Sequence, residues 1–286
     1  MSEGPALPQW LFEAGSTTVA EAKTAIGSTI AIGSTTATMT NCRNGRLDQG
    51  EDCDGIEFLN DATCKDLQFP NGSLGCTKDC EFDYSKCAPT GMVLVKGGTF
   101  EIGSNEYSIE QPVRQAHVDT FLLDKIEVTV TEYFECVGNG GCLEPDVGES
   151  CNWNKEGREH HPIKCVTWFQ ANTFCIWSEG RLPTEAKWEK AARGTDARTY
   201  PWGDIPEPNC DNAAMYDAPA GGSGCGNYST MEVGSKPQGD SPYRAQDMAG
   251  NVWEWVADWY GSYDARESNN PTGPVDGELR VLRGGS

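Results

Sequence analysis

Acidic and amide side chains cluster in one short stretch near the C-terminal end of this 286-residue sequence. From position 247 to 255 the chain reads Asp-Met-Ala-Gly-Asn-Val-Trp-Glu-Trp, with carboxylates at Asp247 and Glu254. Gly-Asn is a turn dipeptide, and carboxylates with backbone carbonyls are the hard oxygen ligands that Ca²⁺ prefers. The stretch therefore predicts a tight loop that holds a cation, with the indoles of Trp253 and Trp255 buried beneath it. An ordinary turn followed by two core aromatic residues would explain the same pattern.

The charge balance excludes one class of partner. The chain has 22 Lys and Arg against 43 Asp and Glu, which gives a formal net charge of −21. Nucleic-acid binding needs a basic surface that neutralises phosphates, so we expect no nucleic-acid partner. We also expect no membrane span, because the sequence lacks an apolar run long enough to cross a bilayer.

Thirteen cysteines point to an oxidising compartment. Such a density is typical of disulfides in exported proteins. Zinc is the alternative, but the sequence has only three His, and the Cys spacings do not match the usual zinc patterns. We therefore expect an extracellular or periplasmic protein. The N-terminal residues lack the basic and apolar segments of a signal peptide, so we expect either that the chain has been cut or that this start is not the native one. Six cysteines lie close together, at Cys42, Cys53, Cys64, Cys76, Cys80 and Cys87.

Composition divides the chain into three parts. Residues 1–41 are rich in Gly, Ser, Thr and Ala, which predicts a poorly ordered linker. Residues 42–88 form a Cys-rich module that is too small to fold on apolar contacts alone. Its acidic turn between residues 48 and 54 does not match an EF-hand loop, so we expect a solvated turn. Residues 89–286 form one larger domain.

Local patterns predict the main elements of that domain. Apolar residues alternate around Gly97 and Gly98, which predicts a hairpin over residues 91–104, and residues 118–128 are predicted to form a further strand. Three helices are predicted to begin at Thr129, Thr167 and Thr184, the first two with capping boxes. The predicted buried side chains are Tyr133, Phe134 and Val137 on the first helix, Ala171, Phe174, Cys175 and Ile176 on the second, and Ala186, Trp188, Ala191 and Ala192 on the third.

The remainder of the domain, residues 195–286, contains only short apolar runs among many Gly, Pro and Asn residues. A long irregular segment needs additional constraints to be compact. Bound cations are one such constraint. A disulfide between Cys210 and Cys225, which enclose a Gly-rich loop, is another.

Seven motifs in this domain, taken in order, resemble the formylglycine-generating enzyme or sulfatase-modifying factor family. They include Gly-Arg-Leu-Pro-Thr-Glu-Ala-Lys-Trp, the 247–255 stretch and the closing Arg-Val-Leu-Arg-Gly-Gly-Ser. The resemblance implies an α+β domain of the C-type-lectin-like kind, with little regular secondary structure and stabilised by Ca²⁺. Many members of this superfamily are not known to make formylglycine. The motifs occupy residues 91–104, 124–133, 161–168, 180–194, 200–203, 247–255 and 280–286.

The resemblance implies a first calcium site in the 247–255 stretch. The side chains of Asp247 and Glu254 and the carbonyls of Gly250 and Val252 would be its ligands. The family often has Asn at the position of Asp247, and an added carboxylate suits Ca²⁺.

A second calcium site is implied around Asn212 and the carbonyl of Ala213. Its other ligands would come from residues 225–229, where Asn227 is the candidate. Glu110 also falls at a position that is acidic in the family's ligand set.

The enzymes of this family use copper. Two cysteines shortly after the Arg-Gly-Gly-Ser motif bind Cu(I), and O₂ oxidises a substrate cysteine to an aldehyde. Thiolate is the soft ligand that Cu(I) prefers. The resemblance implies that Ser286 is the active-site serine and that Asn251 and Trp253 line the pocket. The cysteine pair does not occur up to Ser286, so we predict no catalytic residue within these residues and Cu(I) only if cysteines follow.

Cysteine pairing in the domain favours Cys136 with Cys142, Cys151 with Cys165 and Cys210 with Cys225. Cys175 then remains unpaired. The resemblance implies a partner for it downstream of the catalytic pair, whereas a free thiol in the core is the alternative.

Two functions remain. The first is an exported copper-dependent oxidase that acts on a cysteine in a sulfatase-like polypeptide. The second is a non-catalytic surface or binding protein whose partner is another extracellular protein. The opening of the Cys-rich module resembles repeats of secreted myxobacterial-type proteins, which favours the second. Hydrolase chemistry is not supported, because the sequence has no Gly-x-Ser-x-Gly and no metal-spaced His pair.

Overall fold

A computed structural model gives the fold of two units, Glu13–Thr90 and Gly91–Ser286 together with Met1–Phe12. A short strand, β1 (Leu11–Glu13), lies in the N-terminal region. Most of the predicted linker, Cys42 and Ser286 fall outside the described residues. The structure describes residues 11–13, 44–48, 51–64, 72–78, 80, 82–83, 86–264 and 268–285.

Disulfides and short strand pairs characterise the described part of the smaller unit. Strand β2 (Cys53–Asp54) pairs with β3 (Glu57–Phe58), and β4 (Gly75–Cys76) pairs with β5 (Phe82–Asp83). Disulfides are predicted correctly here. The bonded cysteines are Cys53 with Cys76 and Cys64 with Cys87, and Cys80 is also disulfide-bonded.

The acidic turn of this unit is only partly solvated: the Asp48 side chain is 42% exposed, but two other carboxylates of the turn are not. Glu51 and Asp54 are buried, with 6% and 4% of their surface exposed. Glu51 accepts a hydrogen bond from the Asp48 backbone N–H, and Asp54 accepts one from the Arg46 backbone N–H. The two carboxylates are buried because they satisfy backbone donors of the turn, as buried polar groups must.

The predicted hairpin over residues 91–104 is wrong. Strand β6 (Met92–Val95) pairs with β9 (Phe121–Asp124), and β7 (Gly98–Ile102) pairs with β8 (Arg114–Val118). Both pairings are antiparallel and share one register. Strands β6 and β7 therefore form one arm of a longer hairpin, β8 and β9 form the other arm, and the connection between the arms follows Ile102. Alternation specifies which side chains face the core, but it does not specify the partner strand. The single strand predicted for residues 118–128 is likewise divided, and only β9 lies fully within it.

The three predicted helix starts are confirmed. Helix α1 (Val130–Gly138) and α2 (Trp168–Trp177) begin with capping boxes at Thr129 and Thr167. In α3 (Glu185–Arg193), the Thr184 side chain accepts from the Lys187 N–H.

The buried stripes of α1 and α2 differ from those predicted. On α1 the buried residues are Val130, Tyr133 and Cys136, whereas Phe134 is 58% exposed. On α2, Ile176 is 66% exposed. Val130, Tyr133 and Cys136 are three positions apart and therefore lie on one face of the helix. When this face packs against the core, Phe134 lies on the solvent side. All four residues predicted to be buried on α3 are buried.

Two apolar cores hold the larger unit together. The first packs β6–β9 against α3 and the antiparallel pair β10 (Glu254–Trp259) and β11 (Arg280–Arg283). The second lies between α1 and α2, where Tyr133 stacks on Phe174 with ring centroids 5.4 Å apart. The 247–255 stretch lies at the edge of the first core, because β10 begins at Glu254.

Covalent links replace regular structure in much of the larger unit. Between α3 and β10 the only helical turn in the described residues is a 3₁₀ turn at Pro237–Gly239. The predicted disulfides between Cys136 and Cys142, Cys151 and Cys165, and Cys210 and Cys225 are confirmed. No helix within the described ranges has the length and apolar character needed to cross a membrane.

Replacing Thr129 by Ala should lower the free energy of unfolding by about 1 kcal/mol, because the Thr129 side chain accepts from the Glu132 N–H in the first turn of α1. Glu135→Ala is the matched control, since this exposed residue of the same helix should change stability by less than about 0.5 kcal/mol. Urea unfolding of both variants measures the difference. Equal losses would contradict the role of the cap.

Candidate functional site

The 247–254 loop packs its backbone tightly against the segment around Ala214. Gly250 has a φ of +91°, and a Cβ at this position would lie 2.5 Å from the Ala214 carbonyl oxygen. Asn251 donates its backbone N–H to the same oxygen at 2.7 Å. Asp247 and Asn251 also have positive φ, at 54° and 61°. The tight loop predicted from the Gly-Asn dipeptide is therefore present, and the close contact requires glycine at position 250.

Both carboxylates of the loop are buried. Asp247 is 5% exposed, and its Oδ2 accepts a hydrogen bond from the Gly234 N–H at 2.5 Å. Glu254 is fully buried, and its Oε2 accepts from the indole N–H of Trp188 on α3 at 2.8 Å. Burial raises the pKa of Asp247 to about 6, although the bond from Gly234 acts in the opposite direction. The protein thus keeps two acidic groups in an environment that disfavours their charge.

A third buried carboxylate, Glu127, joins this loop and was not predicted from the sequence. Its Oε2 accepts from the Asn251 side-chain amide at 2.7 Å. Its Oε1 is buried without a hydrogen-bond partner in the described part of the chain. Burial, then the charges of Asp247 and Glu254, raise the pKa of Glu127 well above its ordinary value. The signal was available: an acidic residue interrupts the apolar run of the motif at residues 124–133.

The carboxylates of Glu127, Asp247 and Glu254 suit Ca²⁺, which takes hard oxygen ligands. A buried carboxylate oxygen without a donor is costly, so the orphaned oxygen of Glu127 is consistent with a cation nearby. Among the described residues, no three acidic, His or Cys side chains form a metal-binding group by themselves. The carbonyls of Gly250 and Val252 would have to complete the ligand set. The Gly250 carbonyl accepts a hydrogen bond from the Val252 N–H at 2.8 Å, and calcium at this site stays a prediction.

The residues named for the second calcium site do not come together in the same way. Asn212 is 4% exposed, whereas Asn227 is exposed and donates its amide to the Gly224 carbonyl. Glu110 is half-buried and accepts the Ser104 hydroxyl. The Ala213 carbonyl faces the sulfur of Cys225. These residues therefore do not assemble a calcium ligand set.

A cavity of roughly 720 Å³ opens beside the loop. Gly250, Trp253 and the residues Gly284–Gly285 contribute to its walls, so the loop meets the end of β11 there. Ser286 follows directly in sequence but lies outside the described residues. The lining also contains apolar residues, three arginines (Arg193, Arg280 and Arg283), and aromatic and acidic groups from other segments, namely Tyr200, Trp202, Tyr260, Tyr263, Glu110 and Glu185.

Only one of the two indoles of the loop has its polar group anchored in the protein. Trp253 is 43% exposed and faces the cavity, so the prediction that it is buried is wrong. Trp255 is half-buried and donates to the Val166 carbonyl at 3.1 Å. Asn251 is buried and lines a smaller cavity of about 130 Å³ instead. Trp253 and Asn251 precede β10, which begins at Glu254, so strand alternation does not set their directions.

Ion pairs fix the floor of the larger cavity. Arg283 on β11 contacts Glu189 at 2.8 Å and Glu185 at 3.4 Å, both on α3. Arg193 binds the other oxygen of Glu189 at 2.7 Å. Tyr263 donates its hydroxyl to Glu185. Because both carboxylates and Arg283 are largely buried, removing one partner would leave an uncompensated charge. This network holds β11 and its Gly284–Gly285 extension in position.

Comparison with known proteins identifies relatives of the part of the chain that contains this site. Residues 81–286 match the family model described as a sulfatase-modifying factor enzyme 1-like domain. The formylglycine-generating enzyme of Thermomonospora curvata is 31% identical over 266 residues, which cover 72% of this chain and 86% of that enzyme. The chain belongs to the sulfatase-modifying factor family. The resemblance inferred from the motifs is thus confirmed, as is the α+β fold with little regular structure.

Other relatives in the sulfatase-modifying factor family carry different names. The serine/threonine-protein kinase pkn1 of Chlamydia pneumoniae is 38% identical over 221 residues, covering 68% of this chain but only 33% of the kinase. Among solved structures, Treponema denticola variable protein 1 has a TM-score of 0.54 at 26% identity, covering 68% of this chain and 82% of that structure. The chain thus spans about a third of the length of the chlamydial relative.

Cu(I), the cofactor implied by the family's enzymes, has no ligand pair in the described part of the chain. Every described cysteine except Cys175 is in a disulfide. Cys175 is buried in the core between α1 and α2, and burial raises the pKa of its thiol well above the ordinary value. A buried thiol with a raised pKa is inert. The described residues therefore do not fit Cu(I), and copper chemistry would need thiolates from elsewhere in the protein.

Gly250→Ala should be more destabilising than Gly140→Ala. Both glycines have positive φ, but a Cβ at Gly140 meets nothing within 4 Å, whereas a Cβ at Gly250 would meet the Ala214 carbonyl. Strain at positive φ alone costs about 1–3 kcal/mol, and the clash adds to it at position 250. Thermal unfolding of the two variants measures the difference. If both lost the same stability, the close contact would not be a constraint.

Proposed function

We propose that this domain binds a polypeptide segment in the cavity beside Trp253, as part of an exported formylglycine-generating oxidase. The full-length protein would supply the Cu(I)-binding cysteine pair after Ser286 and oxidise a substrate cysteine. The observation that carries this proposal is the meeting of Trp253 with Gly284–Gly285 at one cavity. By resemblance, that is where the active-site serine and the cysteine pair follow.

The chemistry of the cavity suits a peptide with apolar and extended parts. Tyr200 and Trp202 stack with ring centroids 5.1 Å apart, and Tyr260 is 49% exposed. A volume of roughly 720 Å³ lies within the range of ligand sites. Aromatic walls provide contact area at little cost in side-chain entropy. The relative from Thermomonospora curvata is named a formylglycine-generating enzyme, which supports a substrate cysteine within such a peptide.

Calcium has a structural role in this proposal. A cation bound by Asp247, Glu254 and the carbonyls of Gly250 and Val252 would neutralise buried charge directly beside Trp253. The Glu127 carboxylate, which accepts a hydrogen bond from the Asn251 side chain, would add negative charge beside the loop that binds the ion. The ion would stabilise the wall of the cavity and take no part in oxidation.

A non-catalytic binding protein is the second candidate. The absence of a free thiol near the cavity, among the described cysteines, favours it, as does the disulfide-rich smaller unit. Both candidates place the protein outside the cytoplasm, because the many disulfides require an oxidising compartment. The two candidates differ in the sequence expected after Ser286. A Cys, four residues and a second Cys within the next ten positions supports the oxidase, and any other sequence there excludes it.

Removal of calcium with EDTA should lower the melting temperature, and added Ca²⁺ should restore it. A ligand at one hundred times its Kd stabilises by about 2.7 kcal/mol, which corresponds to roughly 5–10 °C for a domain of this size. Glu254→Gln should reduce this shift while keeping an acceptor for Trp188. The exposed Asp276→Asn is the control and should retain the full shift. A wild-type protein without any shift would exclude the first calcium site.

A Cys-x-Pro-x-Arg peptide should bind residues 1–286 without being oxidised. Trp253→Ala should weaken binding by about tenfold, the effect of losing one aromatic anchor. Trp177→Ala is the matched control, since Trp177 is 37% exposed but packs on Phe174 away from the cavity. Fluorescence anisotropy measures binding, and mass spectrometry after incubation with Cu(I) and O₂ measures oxidation. Equal binding by both variants would exclude this cavity, and aldehyde formation would contradict the need for further cysteines.

A further inference from the structure

The Cys210–Cys225 disulfide closes a loop that contributes to both cavities. Ala213 and Met215 line the larger cavity, and Ala214 and Tyr216 line the smaller one. The backbone of this loop is anchored at its far end, where the Cys225 N–H donates to the Met215 carbonyl at 2.8 Å. Whatever fixes this loop therefore also fixes the shape of the two cavities.

A calcium ion at Asn212 and Ala213 would need open oxygen atoms. Ca²⁺ takes six to eight oxygen ligands at about 2.3–2.6 Å. A site therefore requires carbonyls and side-chain oxygens that point to one place and are not already covered. The segment from Asn212 to Ala214 can be tested directly against this requirement.

Each of the three consecutive carbonyls of this segment has a close neighbour that takes up part of the space around its oxygen. Cys225 Sγ lies 3.4 Å from the Ala213 carbonyl oxygen, and this sulfur has no proton because it is in a disulfide. The Gly239 backbone packs against the Asn212 carbonyl so closely that a Cβ there would lie 1.9 Å from it. The Ala214 carbonyl accepts from the Asn251 N–H at 2.7 Å. The sulfur thus occupies space in front of the oxygen that a cation would need.

The side chain of Asn212 is also committed. Its Oδ1 accepts from the Asn209 backbone N–H at 2.9 Å, which fixes the amide orientation because that donor requires an oxygen. Its Nδ2 is buried without a hydrogen-bond partner in the described residues. An amide N–H group facing the interior repels a cation.

A fixed positive charge already lies on this loop. The Lys236 ammonium donates a hydrogen bond to the Cys210 carbonyl. It is half-buried, so solvent screens it less than a fully exposed charge. This ammonium also acts on Asp247, so it disfavours a divalent cation at either site and does not by itself distinguish them.

We infer that the Cys210–Cys225 disulfide takes the place of the second calcium ion and fixes the loop covalently. The walls of both cavities consequently depend on an oxidised disulfide and not on calcium at Asn212. Reduction in a thiol-rich compartment would loosen the 210–225 loop even when calcium is plentiful. This inference does not depend on the proposed function, because it concerns the loop and not the reaction.

Hydrogen exchange measured by mass spectrometry tests the inference on the full chain. In a Glu254→Gln background, where the first calcium site is weakened, exchange in residues 210–225 should be the same in CaCl₂ and in EDTA. In the Cys210→Ser/Cys225→Ser variant, exchange in this loop should be faster by on the order of a hundredfold, the effect expected when a loop of about 15 residues is no longer closed.

Removal of a different disulfide is the control. Cys136→Ser/Cys142→Ser should leave exchange in residues 210–225 unchanged. Calcium-dependent protection of the loop in the Glu254→Gln background would overturn the inference, as would wild-type exchange rates in the Cys210→Ser/Cys225→Ser variant. If that variant does not fold, the calcium comparison decides alone.

Discussion

Buried carboxylates link the elements of this domain that meet at the larger cavity. Glu127, Glu254 and Glu189 are each at most 1% exposed, and each must find donors or a cation because an unpaired buried charge is costly. Trp188 supplies a donor to Glu254, and Arg283 and Arg193 supply donors to Glu189. Helix α3 carries Trp188 and Glu189 in adjacent positions, so one short helix orients both the 247–254 loop and the strand that ends at the cavity.

This arrangement explains why so little regular structure suffices. The loop around Gly250 is fixed by its contact with Ala214, and the segment containing Ala214 is fixed in turn by the Cys210–Cys225 disulfide. Irregular backbone has few ladder hydrogen bonds, so its order must come from such point contacts. The position of Trp253 therefore depends on three linked constraints: the contacts of the buried carboxylates, the Cys210–Cys225 disulfide, and the close approach of Gly250 to Ala214.

The sequence predicted correctly the features that depend on residues close together in the chain. It predicted poorly the features that depend on distant residues. The caps at Thr129 and Thr167 depend on residues three positions apart, and both were correct. The hairpin over residues 91–104 was wrong because the partner of β6 lies at β9, and alternation carries no information on such a distant pairing. The acidic character of Glu127 is visible within its own motif, but its contact with Asn251 is not, because Asn251 lies in a different motif. From its side-chain type Trp253 was expected to be buried, whereas the family resemblance implied that it lines the pocket; it is 43% exposed and lines the larger cavity.

The same contacts explain why motif resemblance defines the fold more firmly than the reaction. Within the motif at residues 180–194, Trp188, Glu189 and Arg193 bind other parts of the scaffold. Within the closing motif, Arg283 pairs with α3. In this chain these residues hold the elements around the cavity together, a role that does not depend on whether a substrate is oxidised. A protein could therefore keep the motifs while lining residues outside them, such as Ile109, Met215 and Tyr260, adapt the cavity to a different partner. Activity must accordingly be argued from the groups that reach the cavity, and the described cysteines are not among them.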